Sequence, residues 1–430
     1  MQDGGGTPQS SESASSVNGA NSAVSETEKE NTRAVGARTA EAEEISLSKT
    51  PAKITGKPAD AHFNENVANF SIDLFKQCVS YDKNTLISPL SVTLALAIAA
   101  NGADGETLAQ MENMLGGDIP LGALNEYLYT YVQKLPNELK SKLNIANSIW
   151  LNKGHFIQVK DSFLQTNADY YGASVFKAYF DQQTLNDING WVSDKTDKMI
   201  KKILNDISGD AVAYLINAIA FDSEWRRTYL TNDIAPGTFT DISKKGRAIE
   251  FMNSCERMYL DDGSAKGFVK PYFNDNYSFV ALLPNEDVPI DKYMQSMTGA
   301  GFLYLLKNAE NAIVDAYLPK FEFEYEIIMN DALKASGMRN AFDIAAAEFY
   351  NMAEFKPENN VYIDFVLHKT FIAVDELGTK AGAATVVAIT AASAPGHSDM
   401  IVIRLDRPFV FAIIDNSSGL PVFIGAVMSI

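Results

Sequence analysis

The chain holds four histidines, His62, His155, His368 and His397, and two cysteines, Cys78 and Cys255. A serine hydrolase needs a histidine base oriented by an acid and set beside a nucleophile in a rigid pocket. His62 stands where a polar tail meets the first apolar stretch. His397 lies in Ala-, Ser-, Pro- and Gly-rich sequence, and there is no Gly-x-Ser-x-Gly elbow. With no His or Cys pair at ligand spacing, neither a metal nor another cofactor is expected. The chemistry on offer is that of a substrate. Residues 376–392 begin acidic, turn on Gly378 and continue in small residues. Written as a strand, one face is Thr379, Ala381, Ala383, Thr385, Val387 and Ile389, all uncharged. The other is Lys380, Gly382, Ala384, Val386, Ala388 and Thr390. The segment then runs into Ala391 to His397, which is loop chemistry. A stretch fit for burial but attached like an exposed loop has two destinations. A plain edge strand followed by a flexible loop is the competing description.

The flanks narrow the choice. Upstream stands His368-Lys369-Thr370-Phe371-Ile372-Ala373-Val374-Asp375-Glu376; downstream stand Arg407-Pro408-Phe409-Val410-Phe411-Ala412 and Gly425. Earlier come Leu86-Ile87-Ser88-Pro89-Leu90-Ser91 with Asn101-Gly102-Ala103, then Ile188-Asn189-Gly190-Trp191-Val192. Leu215 to Phe221 with Trp225, and Leu318-Pro319-Lys320-Phe321 with Gly337-Met338, complete the set. In this order, over roughly residues 65–430, the chain resembles the serpins, the serine protease inhibitor family.

The resemblance implies an α+β fold with three β-sheets, about nine helices and an exposed reactive loop at about 376–400. It implies a hinge of Glu376, Gly378, Thr379, Lys380, Ala381, Gly382, Ala383, Ala384 and Thr385. Ser88, Ser91, Asn217 and His368 would form a polar cluster under the main sheet, and Trp225 would stand at its top where the loop enters. A serine protease would cut the loop and be trapped as a covalent acyl-enzyme when the freed strand inserts; cysteine proteases are a further target class. Counting from Gly378, the scissile bond falls at Ala392–Ser393, with positions near 391–394 as alternatives. Between Ala381 and Asp399 there is no Lys, Arg or aromatic residue, which suits an elastase-like or subtilisin-like pocket. From Gly378 to Ala392 the strand would span roughly 50 Å. Lys380 departs from the family's usual Glu but falls on the outward face. A non-inhibitory serpin that binds or carries a ligand is the alternative; its kind commonly carries charge, bulk or proline in the hinge.

These residues need a large core to position them, and 46% hydrophobic composition supplies one. The net charge of −18 argues against nucleic acid and anionic membrane as partners. It also argues against a heparin-type cofactor, since the region after Leu121 offers only Lys134, Lys140 and Lys142. A monomer is expected. Residues 1–60 are Ser-, Glu-, Gly- and Ala-rich and are expected to be a disordered tail or tether, with 61–430 as one domain. The protein is expected outside the cell or at its surface, held there through that tail if a leader or lipid anchor precedes Met1; a cytoplasmic leader is the alternative. Both cysteines are expected as buried free thiols rather than a bridge.

Apolar periodicity predicts helices at 64–80, 89–100, 106–115, 124–133, 187–202 and 326–336. Strands are expected at 143–151, 211–221, 277–283, 312–318 and 370–374, with two more at the C-terminus.

Overall fold

Two segments that bury nearly every side chain set the architecture. The first is Pro89–Ala100, a helix with all twelve residues buried, begun by the Ser88 side chain and by proline in its first turn. The second is Ala213–Glu224, a strand covered on both faces. Leu215, Ile219 and Phe221 join the main core, while Tyr214, Ile216 and Ala218 join a smaller one. A strand with no solvent face reads as a continuous apolar run. The computed structural model describes residues 41–355, 360–380 and 400–430, and only the backbone of Leu47 and Lys380.

In chain order the elements are β1 (Glu43–Glu44), α1 (Ala61–Cys78), β2 (Thr85–Ile87), α2 (Pro89–Ala100), α3 (Gly105–Gly116), α4 (Leu121–Lys134), β3 (Ser141–Asn152), β4 (Ile157–Val159), α5 (Asp161–Tyr171), β5 (Ser174–Ala178), α6 (Gln182–Lys195) and β6 (Ala213–Glu224). There follow β7 (Ile234–Thr240), β8 (Gly246–Asp261), β9 (Ala265–Pro271), β10 (Tyr277–Pro284), α7 (Ile290–Ser296), α8 (Gly299–Lys307), β11 (Glu310–Pro319), β12 (Phe321–Ile328) and α9 (Asn330–Ala335). The last are β13 (Ala353–Phe355), β14 (Phe365–Val374), β15 (Gly378–Lys380), β16 (Ile401–Arg404), β17 (Phe409–Asp415) and β18 (Pro421–Val427). The described residues thus hold nine α-helices and three sheets, a mixed α+β arrangement.

The main sheet has seven strands in the order β1-β5-β3-β6-β15-β14-β12. Its inner face lies on α2 and the main core. On its outer face Leu185, Ile188 and Val192 of α6 pack over Trp150, Phe176 and Tyr214. A nine-stranded sheet holds β16, β11, β8, β9, β10, β17, β18 and β2 in line, with β7 beside β8. The third sheet is the pair β13 and β4.

Several expectations need correction. Residues 41–60 are not a free tail. β1 pairs with β5, Lys49 meets Asp161 at 2.9 Å, and the Lys57 ammonium lies 4.2 Å over the Tyr127 ring. Among the described residues the compact unit accordingly takes in 41–60 as well. Residues 326–328 extend β12, not a helix. The run Phe-Glu-Phe-Glu-Tyr-Glu alternates with period two, aromatics inward and Glu322, Glu324 and Glu326 outward. Helix α6 stops at Lys195, because Asp197 and Lys198 take positive φ of 50° and 64°. Cys78 is a buried free thiol, its pKa pushed up to about 12 by burial, but Cys255 is free and exposed.

Candidate functional site

The site is the seam between β6 and β14. At its base the two strands pair directly in parallel over five registers, from Phe365 opposite Tyr214 to Lys369 opposite Ala218. Above that they part, and β15 lies between them, antiparallel to both. Gly378 and Thr379 face Glu224 and Ser223 of β6; Thr379 and Lys380 face Val374 and Ala373 of β14. Gly378 is required for this approach, since a Cβ there would lie 2.1 Å from the Ser223 carbonyl oxygen.

The turn that feeds β15 is tied on both sides. The Asp375 carboxylate accepts from the Leu377 and Gly378 amides at 2.8 and 3.1 Å, the turn habit of aspartate. Trp225 donates its indole N–H to the Asp375 carbonyl and its backbone N–H to that of Leu377, each at 2.8 Å. The Tyr229 amide donates to the Glu376 carbonyl at 2.9 Å. Lys320 bridges Glu376 and Glu250 at 3.0 and 2.8 Å. Burial raises the Glu376 pKa, but its own amide and Lys320 more than offset this and hold the carboxyl below its usual range. Thr379 points inward, 2% exposed, and its hydroxyl hydrogen-bonds the Tyr272 hydroxyl. The Tyr272 ring stacks on Trp225 at 4.4 Å.

Lower on the seam the structure brings Ser88, Ser91, Asn217 and His368 together, all fully buried. The Ser88 amide donates to His368 Nε2 at 3.0 Å, so Nε2 carries no proton and Nδ1–H donates to Asn217 Oδ1 at 3.2 Å. Ser91 Oγ donates to the same Asn217 oxygen at 2.6 Å, and Asn217 Nδ2 donates to the Ser91 carbonyl and to Asn147 Oδ1 of β3. Ser88 Oγ donates to the Val422 carbonyl of β18 at 2.7 Å. Burial depresses the His368 pKa to about 3, so the ring is neutral. The cluster spans the seam, since His368 and Asn217 are opposite residues on β14 and β6.

Trp225 sits at the top of the seam and the polar cluster below it. Ala381 to Thr385 of the hinge and the Ala392–Ser393 bond lie outside the described residues, as does His397. Of Lys380 only the backbone position in β15 is described. Reasoning from sequence missed Tyr272, Asp375, Tyr229 and Asn147; of these only the turn former Asp375 carried a local signal. Among the described residues no serine hydroxyl hydrogen-bonds a histidine, and no group of acidic, His or Cys side chains could hold a metal. Lys140 and Lys142 are paired with Glu224 and Asp197.

A strand already started between two parallel strands, above a polar lock joining them, defines the class. The family model "Serpin (serine protease inhibitor)" matches residues 65–430, and the chain belongs to this family. Most members inhibit serine proteases rather than catalyse; some do not inhibit. The thermophilic serpin tengpin in its native state is 50% identical, with a TM-score of 0.87 over 91% of this chain and 100% of that one. Against tengpin in its latent state the TM-score falls to 0.77, at 48% identity, over 89% of this chain and 100% of that one. Neuroserpin of Homo sapiens is 28% identical over 385 residues, covering 85% of this chain and 91% of its own. The fold is also that of thyroxine-binding globulin in complex with thyroxine, at 20% identity and a TM-score of 0.74 over 85% of this chain and 98% of that one.

Proposed function

We propose that this protein is a suicide-substrate inhibitor of serine proteases with elastase-like or subtilisin-like specificity. A protease serine would attack the bond after Ala392, the Ser393 amine would leave, and the new acyl ester would hold the protease on the cut loop. The loop would then continue β15 downward as a central strand, replacing the direct β6–β14 pairing, and carry the protease with it before water completes deacylation.

The observation that carries this reading is β15 itself. Its start is seated in the seam, antiparallel to both neighbours, with Thr379 inward; in an inserted strand the uncharged Ala381, Ala383, Thr385, Val387 and Ile389 would follow inward by alternation. The run holds no proline that would deny the ladder an N–H. The test is incubation with a pancreatic-type elastase. A band near the summed masses that survives boiling in detergent supports inhibition. Cleavage without such a band favours a carrier or a simple substrate. Mass spectrometry of the released C-terminal peptide fixes the bond, and a start outside residues 391–394 sinks the specificity argument.

A further inference from the structure

A buried ion pair lies directly behind the hinge. Lys270 on β9 and Glu256 on β8 meet at 3.0 Å, with side chains 3% and 10% exposed. The Glu256 carboxylate also accepts from Ser254 Oγ at 2.7 Å, and that hydroxyl lies 3.3 Å from the Tyr229 hydroxyl. The Lys270 ammonium sits 4.2 Å over the Tyr229 ring and 5.3 Å over the Trp225 ring. These two rings belong to the residues whose N–H groups hold the carbonyls of Asp375, Glu376 and Leu377. Two residues beyond Lys270, Tyr272 meets Thr379.

A buried Lys–Glu pair is a poor device for stability alone, because desolvation offsets its attraction and an apolar pair of similar volume does as well or better. What charge adds is geometry. An ammonium held by a carboxylate and capped by two aromatic faces fixes both rings at once. We infer that the Lys270–Glu256 pair is a positioning device for the hinge: it sets Trp225 and Tyr229 against residues 375–377 and so keeps the start of β15 seated in the seam. Seating the first residues of the strand in advance removes the slow nucleating step from insertion, so the pair would bias a cut loop toward trapping over release. That second half rests on the inhibitory reading; the first does not.

The experiment compares four proteins: wild type, Lys270→Met, Lys270→Arg, and the neutral pair Lys270→Met with Glu256→Gln. The single Lys270→Met leaves a buried unpaired carboxylate and is prone to unfold; the neutral pair removes that difficulty. Hydrogen exchange is read at the amides of Trp225, Tyr229, Gly378 and Thr379, with Asn217 and His368 as internal controls. In the neutral pair the four amides should exchange about tenfold faster, the loss of roughly one hydrogen bond, with the controls unchanged. Lys270→Arg, which keeps the cation, should restore protection. Unchanged exchange at these amides, or loss spread equally to the controls, overturns the positioning role whether or not wild type traps a protease. With elastase, the neutral pair should show a higher ratio of cleaved to trapped inhibitor at an unchanged rate of loop cleavage. If wild type traps and this ratio does not move, the link to insertion is overturned while the exchange result stands. If wild type traps no protease at all, the inhibitory reading fails and the exchange result still decides the positioning role.

Discussion

Replacing His368 with Gln should reverse sign as an effect on stability between pH 8 and acid. The folded ring titrates at about 3 and an unfolded histidine near 6.5. The unfolded chain therefore binds the proton more readily, and protonation favours unfolding. The contribution of the neutral ring is fully present above 6.5 and is lost as pH falls toward 3. The whole span corresponds to about 5 kcal/mol, of which about 2 kcal/mol is lost by pH 5. Gln is neutral throughout, and its side-chain oxygen can accept from the Ser88 amide as Nε2 does now. What it forfeits is the fit to Asn217, about 1–2 kcal/mol for a buried hydrogen bond disturbed on both sides.

The variant should thus be less stable than wild type at pH 8, match it near pH 5, and exceed it below. The assay is guanidinium unfolding of both proteins at pH 8, 6.5 and 5, following the first departure from the native signal. Unfolding rates should be compared as well, since a kinetically held fold would show the effect there. The cluster bridges β6 and β14, so its rupture belongs to opening of the seam. Wild type should then open up to about thirtyfold faster at pH 5 than at pH 8, beyond any change seen in the variant. Carboxylate titration acts on both proteins and cancels in the comparison. If the two lose the same stability between pH 8 and 5, His368 is not the neutral, doubly bonded ring described above and the lock on the seam has another basis.

Thr379→Arg should still be cut at the same bond yet release active protease, because a guanidinium beneath the sheet beside Tyr272 costs several kcal/mol; Lys380→Glu should trap normally, and equal trapping by both variants would defeat the alternation argument. Gly378→Ala should expel the start of β15, since its Cβ would meet the Ser223 carbonyl at 2.1 Å; faster exchange at residues 378–380 in the uncut protein is the readout. Cleavage in the loop should raise the thermal midpoint through added ladder bonds and apolar burial. Coincident melts of cut and uncut protein would show that no strand is added.

How much of this was legible in the chain depended on where the partners lie in sequence. Helix α2 was readable to the residue because its signals are local: Ser88, then Pro89, then an almost wholly apolar run. The end of β12 was misread as a helix start, although Phe321 to Glu326 already alternate with period two; pairing with β14 carries that period on to Ile328. Residues 41–60 read as a tail because their composition cannot support a core alone. Their bonds come from the β5 edge and from α5 and α4, more than a hundred positions downstream in the case of Ala52 and Asp169.

The site divides the same way. Alternation from Gly378 put Thr379 on the inward face, and that needs only a strand's geometry. Its partner Tyr272 is 107 positions away, and the Lys270–Glu256 pair behind it joins β8 and β9, two strands that the sequence analysis did not single out. Yet these remote contacts answer the question the hinge sequence raises. A run of small residues would let a loop enter a sheet on the proposed reading; it does not explain what holds the start of β15 and closes the seam below it. In the structure two features answer that. The start of β15 is held in place, with Trp225, Tyr229 and Tyr272 bonded to residues 375–379. Below, the His368–Asn217 bond and five paired registers close the path. On the proposed reading, insertion would exchange those five pairings and one polar cluster for a longer ladder. The barrier would then be local to the seam and the gain spread along the whole inserted strand, the separation that a metastable trap would require.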